Sequence, residues 1–171
     1  MNLERHRLIL AVVEALNAAG SWSGKTHIQK AMALLLARAR IEMPFEFVLY
    51  KHGPFSFELR DEIDFMKSYL GISSESVLGY GEKIEPGENK EFIVGRTRLP
   101  EGTLKEIRTV CDFVNGRRVA DLERLATAAW IRSQENIEEA EQIAQRLHQL
   151  KPHISLDEAR TACREVSQIL Q

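Results

Sequence analysis

The amino-acid sequence predicts an α+β protein in which helices dominate. Apolar residues recur at the three- and four-residue spacing of amphipathic helices in seven segments. β-prone residues are confined to a short run at 47–50 and to residues 76–95, where two apolar stretches flank a polar turn. At 171 residues, the chain is long enough to bury a hydrophobic core without disulfides or a metal.

Two helices joined by a short loop are predicted at the start of the chain. Leucine, isoleucine and valine residues form one stripe over residues 2–19, and Gly20 is expected to end that helix. The second helix is expected to begin with Ser23 or Thr26 as its N-cap and to continue to about residue 39.

A third helix and a β-hairpin are predicted to follow. The first short extended segment is interrupted at His52-Gly53-Pro54, a sequence typical of a turn. Ser56 is a good N-cap for a helix that we expect to close at Gly71. Residues 76–95 are predicted to form a hairpin whose turn lies at Pro86–Asn89.

The rest of the chain is predicted to be helical throughout. Its helices end or begin at clear signals, such as Pro152 and the capping-box pattern at Ser155–Glu158. Three helices followed by a hairpin is the order of elements in a winged helix. We therefore predict a winged-helix-like N-terminal domain at residues 1–98 and a C-terminal helical lobe, residues 99–171, packed on it.

The stretch Gly24-Lys25-Thr26 matches the end of a nucleotide-binding P-loop, but the rest of that motif is missing. A P-loop needs a glycine five residues before Gly24, where this chain has Ala19. The preceding element is a predicted helix, whereas a P-loop follows a buried strand. The stretch is therefore predicted to be a helix-connecting turn, and no nucleotide or other cofactor is expected.

The sequence YKHGPFSFEL at residues 50–59 resembles a bacterial family, the YwgA-like proteins. The resemblance begins at Lys25–Lys30, runs through the turn at Gly53–Ser56 into a helix ending at Gly71, and includes LKPHISLDEA at residues 150–159. The chain is more distantly similar to the Panacea or SocA-type antitoxin domain. These resemblances imply a winged-helix-like core and an association with mobile-element or toxin–antitoxin biology. They imply no catalytic residues and only a structural role for the Gly-Pro-Phe-Ser turn.

Composition and motif spacing argue against several classes of protein. Hydrophobic residues at 44% and charged residues at 28% are ordinary for a globular chain. The apolar run near the N-terminus is too short for a signal peptide or a spanning helix, so we expect a cytoplasmic protein. Cys111 and Cys163 lack CxxC spacing and are expected to be reduced and buried. No histidine has a second ligand at metal-binding spacing, and Ser56 lacks the GxSxG context of a hydrolase, so we predict neither a metal site nor an enzyme.

DNA binding is one of two hypotheses for function. The formal net charge of −2 offers no overall cationic surplus for phosphates. The third predicted helix enters the major groove in many winged helices, but here four carboxylates oppose two basic residues on it. DNA would therefore have to bind through the hairpin or the second helix. The basic residues in these elements are also explained if they only form a solvent-exposed face. The candidate nucleic-acid contacts are Lys25, Lys30, Lys83, Lys90, Arg96 and Arg98.

A protein-interaction module is the hypothesis that the sequence favours. Seven aromatic residues lie within residues 45–69, more than one helix needs for its core side, although packing against the C-terminal helices would also explain them. The candidate partner contacts are His52, Phe57, Glu58, Asp61 and Tyr69. We predict a non-enzymatic interaction or regulatory module, of an antitoxin-like or phage-defence-adaptor kind, whose unknown partner is a toxin or a nucleic-acid enzyme. The alternative is a winged-helix DNA-binding transcriptional regulator.

Overall fold

Eight helices and two small antiparallel sheets make up the protein, whose computed structural model describes residues 1–171. The α+β, mostly helical class predicted from the sequence is confirmed. In chain order the elements are α1 (Leu3–Ala18), α2 (Lys25–Arg38), β1 (Val48–Tyr50), β2 (Gly53–Phe55), α3 (Phe57–Ser68), β3 (Ile72–Val77), β4 (Gly81–Pro86), α4 (Lys90–Val94), α5 (Glu101–Val114), α6 (Val119–Gln134), α7 (Ala140–Leu150) and α8 (Leu156–Ile169).

The predicted position of the second hairpin is wrong. β3 and β4 pair through a turn at residues 78–80, and Gly79 and Gly81 supply the positive φ angles of 82° and 98° that this tight connection needs. The predicted turn at Pro86–Asn89 instead docks on the end of α3, where the Gly87 N–H donates to the Gly71 carbonyl at 3.1 Å. The residues assigned to the second strand of the hairpin form the short helix α4.

The N-cap of α2 also differs from the prediction. Gly24 occupies that position without a side-chain hydrogen bond, and Thr26 lies inside the helix. Ser23 is engaged elsewhere, because its hydroxyl donates to the Ile84 carbonyl of β4 at 2.6 Å. The Gly24-Lys25-Thr26 stretch therefore follows one helix and opens another, as predicted, with no strand before it.

One continuous hydrophobic core of 40 buried residues joins the two predicted segments of the chain. α1 packs on α5, and α2 packs on α6, so helices from before and after residue 98 face each other. Cys111 of α5, for example, is fully buried and lies against the Val12 carbonyl of α1. α2 is buried on almost every side, including at Gln29 and Lys30, so its polar residues need partners inside the protein.

Both cysteines are unpaired and buried. Burial raises the pKa of the Cys111 thiol to about 12 and that of Cys163 to about 11, which keeps both as thiols at neutral pH. None of the helices combines the length and apolar character needed to cross a bilayer.

Ser56 fixes the start of α3, and its removal provides a test of this local structure. Its hydroxyl accepts a hydrogen bond from the Leu59 N–H at 3.2 Å, and its side chain is fully buried. Ser56→Ala should lower the free energy of unfolding by about 1 kcal/mol because it removes the cap. Urea unfolding measures this difference. Ser76→Ala, on an exposed strand position, is the control, and an equal effect of the two substitutions would contradict the capping role.

Candidate interaction surface

A short hairpin formed by β1 and β2 leads into α3 and presents a row of apolar side chains. Val48 pairs with Phe55, and Tyr50 pairs with Gly53, so the side chains of Val48, Tyr50 and Phe55 share one face of the hairpin. Lys51 and His52 form its turn and are both exposed.

Three aromatic rings at this hairpin, Tyr50, Phe55 and Phe57, form what we call the aromatic cluster. Their centroids are 5.1 to 5.9 Å apart, and Phe57 meets both of the other rings edge-on. The Arg60 guanidinium lies 5.2 Å from the centroid of the Phe57 ring. Tyr50 is 54% exposed and Phe57 is 41% exposed, so the cluster is a surface feature and not a part of the core.

Two buried lysines hold the backbone of the hairpin turn from below. Lys30 of α2 is 2% exposed, and its ammonium donates to the Pro54 carbonyl at 2.9 Å. Lys151, at the end of α7, donates to the Tyr50 carbonyl at 2.8 Å and to the Lys51 carbonyl. The carbonyls on both sides of the turn are thus fixed by side chains that lie far apart in sequence, one in α2 and one at the end of α7.

A single buried carboxylate, that of Glu123 in α6, lies among these cations. One of its oxygens is 3.8 Å from the Lys151 ammonium and 3.3 Å from His153 Nε2, and the other is 4.0 Å from His52 Nδ1. Glu123 is 8% exposed, whereas both histidines are largely exposed. We call these five residues, Lys30, His52, Glu123, Lys151 and His153, the charged cluster.

Burial lowers the pKa of Lys30 to about 8; the nearby Glu123 carboxylate opposes this shift and the Lys151 ammonium adds to it. The hydrogen bonds that Lys30 and Lys151 make to carbonyls leave their charges unneutralised, because carbonyls are neutral acceptors. Only Glu123 offsets these two charges, so the charged cluster carries a net positive charge at neutral pH.

Gly53 allows the turn to approach α6 closely. Its φ is 88°, a region that side chains avoid. A Cβ at this position would lie 2.7 Å from the Thr127 hydroxyl oxygen, which is itself fixed by donating to the Glu123 carbonyl. Together with the Ser56 cap, this explains in structural terms why the chain has Gly-Pro-Phe-Ser here.

Lys30 is not available for the nucleic-acid contact predicted from the sequence. Its ammonium is enclosed between α2, α6 and the hairpin and already donates to a carbonyl. The prediction failed because Lys30 lies beside the apolar stripe of α2, and only the packing of α6 on that helix buries it.

The other predicted nucleic-acid residues are mostly engaged within the protein. Three are paired with carboxylates: Lys25 with Asp64 at 2.6 Å, Lys83 with Glu85 at 2.7 Å, and Lys90 with Glu14 at 3.9 Å. The Arg96 guanidinium lies 3.9 Å from the centroid of the Phe92 ring. Among these five residues only Arg98, which is exposed, makes neither an ion pair nor a ring contact, so few of the predicted cations are free to meet phosphates.

The third helix is less acidic than its sequence indicates. Its carboxylates are paired with cations: Glu58 with Arg5 at 2.9 Å, Asp61 with Arg60 at 2.8 Å, Glu62 with Arg5 at 3.6 Å, and Asp64 with Lys25 and Lys67. The pKa of Glu58 is lowered by the Glu46 N–H and by Arg5, and that of Asp64 chiefly by Lys25. Charge therefore does not distinguish α3 from the surrounding surface, whereas its exposed rings, Phe57 and Phe65, do.

Tyr69, a predicted partner contact, has structural partners. Its hydroxyl lies 2.9 Å from Nδ1 of the fully buried His6, and the other ring nitrogen of His6 lies 2.7 Å from Glu62. Burial raises the pKa of Tyr69, with Glu62 adding to the shift. Its ring also lies over Gly71, where a Cβ would come within 2.8 Å of it. Tyr69 links α3 to α1 and is only partly accessible.

The aromatic-rich stretch at 45–69 divides between core and surface. Phe45 and Phe47 are 4% and 7% exposed, whereas Tyr50 and Phe57 are on the surface. Sequence reasoning missed Glu123 and Lys151 altogether. Glu123 is one of four charged residues in α6, and nothing in the sequence shows that its side chain, unlike the others, points into the protein.

Comparisons with known proteins do not extend this picture, since no family model and no curated protein matches the chain.

The close approach at Gly53 can be measured against a second glycine. Gly53→Ala should lower the free energy of unfolding by about 2 to 4 kcal/mol, because the methyl group meets Thr127 in addition to the strain of a positive φ. Gly20→Ala is the matched control, since Gly20 has a φ of 73° with nothing within 4 Å of its Cβ position. Urea unfolding of both variants should show a cost of only about 1 kcal/mol at Gly20. Equal losses would contradict the close approach.

The pKa of Lys30 predicts a specific dependence of stability on pH. Between about 8 and 10.5 the folded protein binds fewer protons at Lys30 than the unfolded chain does, so stability from this group should rise with pH across that window. The wild type should gain up to about 3 kcal/mol relative to Lys30→Met between these limits. Urea unfolding at three pH values measures the difference, with Lys105→Met as the exposed control. Parallel curves for wild type and Lys30→Met would contradict it.

Proposed function

We propose that this protein is a non-enzymatic interaction module that binds a partner protein through the aromatic cluster. The observation that carries the proposal is the exposure of Tyr50 and Phe57 on a hairpin whose backbone is held by two buried ammonium groups. Aromatic side chains contribute a large share of the binding energy in protein interfaces. Burying exposed aromatic rings in an interface releases hydrophobic free energy. When the rings are already held in place, binding costs little additional conformational entropy.

The rigidity of this surface favours recognition over a structural explanation. If the rings served only to complete the core, they would be expected to be buried in it, as Phe45 and Phe47 are. Instead they contact one another edge-on and stay partly exposed at the surface. The anchored turn keeps the aromatic cluster in one arrangement, which is the property that a docking surface needs.

The order of elements supports a winged-helix interpretation of residues 1–98, in which β3 and β4 form the wing and α3 the third helix. We propose that the face used for DNA in many winged helices serves a protein here. The resemblance to YwgA-like and Panacea-type chains stays a prediction, and it is the reason for proposing an antitoxin-like or adaptor role.

A DNA-binding regulator is the second candidate, and only the element order favours it. Duplex binding requires several cations free to meet phosphates. The candidate cations are paired with carboxylates, buried, or packed on a ring, with the exception of Arg98.

Site-specific photocrosslinking in cells that make the protein tests this proposal. A benzoylphenylalanine residue replaces Phe57 in one variant and Phe92 in the control; the two native side chains are 41% and 39% exposed. We expect a discrete protein adduct from position 57 only, reduced at least tenfold by Tyr50→Ala, because the loss of an anchoring ring costs about 2 kcal/mol or more. Unchanged thermal unfolding of the variants is the check on folding.

Two outcomes would contradict the proposal. Equal adducts from positions 57 and 92 would mean non-specific collisions. Adducts with nucleic acid, together with salt-sensitive binding of a mixed-sequence duplex at about 50 and 200 mM salt, would favour the DNA-binding regulator.

A further inference from the structure

We propose that the partner segment taken up by the aromatic cluster is an acidic one, with an apolar side chain flanked by aspartate or glutamate. This inference rests on the proposed function, because it names the kind of protein segment that the same surface accepts. It follows from the charged cluster directly beneath the hairpin turn.

The turn has an excess of positive charge that the protein does not neutralise itself. Lys30 and Lys151 donate hydrogen bonds to the backbone carbonyls of Tyr50, Lys51 and Pro54, and these carbonyls carry no charge. Lys51 adds a third, exposed cation. Against these three stands the single carboxylate of Glu123, so a net positive potential remains at the surface of the turn.

The positive potential adjoins the aromatic cluster directly. Tyr50 contributes its ring to the aromatic cluster, and its carbonyl is held by Lys151. His52 and His153, 68% and 61% exposed in their side chains, offer further ring nitrogens beside Glu123. A side chain anchored on Tyr50 and Phe57 would therefore bring its neighbouring residues onto the cationic turn.

Carboxylates elsewhere around the aromatic cluster do not cancel this preference. Asp61 is paired with Arg60, and Glu58 shares the Arg5 guanidinium with Glu62, so the charge of these anions is largely offset by adjacent cations. The two sides of the aromatic cluster thus differ, because the α3 side carries ion-paired carboxylates and the turn side carries an excess of cations. A segment with negative charge on one side of its apolar anchor fits this asymmetry.

A protein segment fits this surface better than single-stranded nucleic acid, which also combines aromatic and anionic character. Nucleic-acid bases stack on open ring faces, whereas Phe57 meets its neighbours edge-on. A phosphate backbone also needs a row of accessible cations, but Lys30 and Lys151 are 2% and 7% exposed. Their charge acts at the surface through its field and not through direct contacts.

Selection from a displayed library of random twelve-residue peptides tests the inference with the whole chain as target. The Tyr50→Ala/Phe57→Ala double variant serves for counter-selection, after its thermal unfolding has been shown to match that of the wild type. We expect the retained peptides to combine one aromatic or leucine residue with at least one adjacent aspartate or glutamate.

The strongest peptide then provides the quantitative test by fluorescence anisotropy. Its form with every acidic residue changed to the amide should bind about tenfold more weakly and lose most of the salt dependence between about 50 and 200 mM. Lys51→Glu should weaken the acidic peptide about tenfold, since it reverses the exposed charge of the turn. Lys105→Glu, an exposed lysine on α5, is the matched control and should leave the affinity unchanged.

Each failure has a distinct meaning. If no peptide depends on the aromatic cluster, the interaction function itself is wrong. If peptides depend on that cluster but are neutral or basic, or if Lys51→Glu and Lys105→Glu behave alike, the acidic preference is wrong and the interaction function stands. If labelled single-stranded RNA displaces the peptide at equal concentration, the surface belongs to nucleic acid and the inference is overturned.

Discussion

The hydrogen bonds from Lys30 and Lys151 to the carbonyls of one turn are the constraint on which the rest of the surface depends. Burying ammonium groups is unfavourable unless they are paired and hydrogen-bonded. Here the carbonyls supply the hydrogen bonds, and the Glu123 carboxylate supplies part of the charge compensation. The same contacts join α2, α6 and the end of α7 to the hairpin. One polar cluster therefore ties the geometry of the hairpin surface to the helices beneath it.

The turn combines close packing below with an exposed surface above. Gly53 admits the backbone of the hairpin against Thr127, and Ser56 then starts α3 within three residues. This short path leaves Tyr50, Phe55 and Phe57 no room to spread into the core. Their exposure follows from the way the backbone is held, and it is the property that separates this surface from the charge-paired face of α3.

Much of the fold could be predicted from local patterns, whereas the site depended on long-range packing. The helical stripes and the Ser56 and Ser155 caps are local, and they placed the helices to within a few residues. The sequences around Gly79 and Gly87 are both typical of turns, so the sequence does not show which one joins the two strands of the hairpin. The Gly87 segment docks on the end of α3, and the turn at Gly79 joins the strands. The environment of Lys30 is set by Glu123 and by residues still further along the chain, so nothing near Lys30 in sequence reveals it.

The charged cluster also imposes an order on the maturation of the protein during synthesis. Tyr50 and the lysine that holds its carbonyl are 101 residues apart in sequence. The hairpin and its aromatic rings therefore leave the ribosome well before Glu123 and Lys151 exist. Until those residues arrive, Lys30 has no counter-ion and gains more from water than from burial. The surface that we assign to partner recognition thus acquires its final shape only after Lys151 has been made, which postpones recognition until α7 is complete.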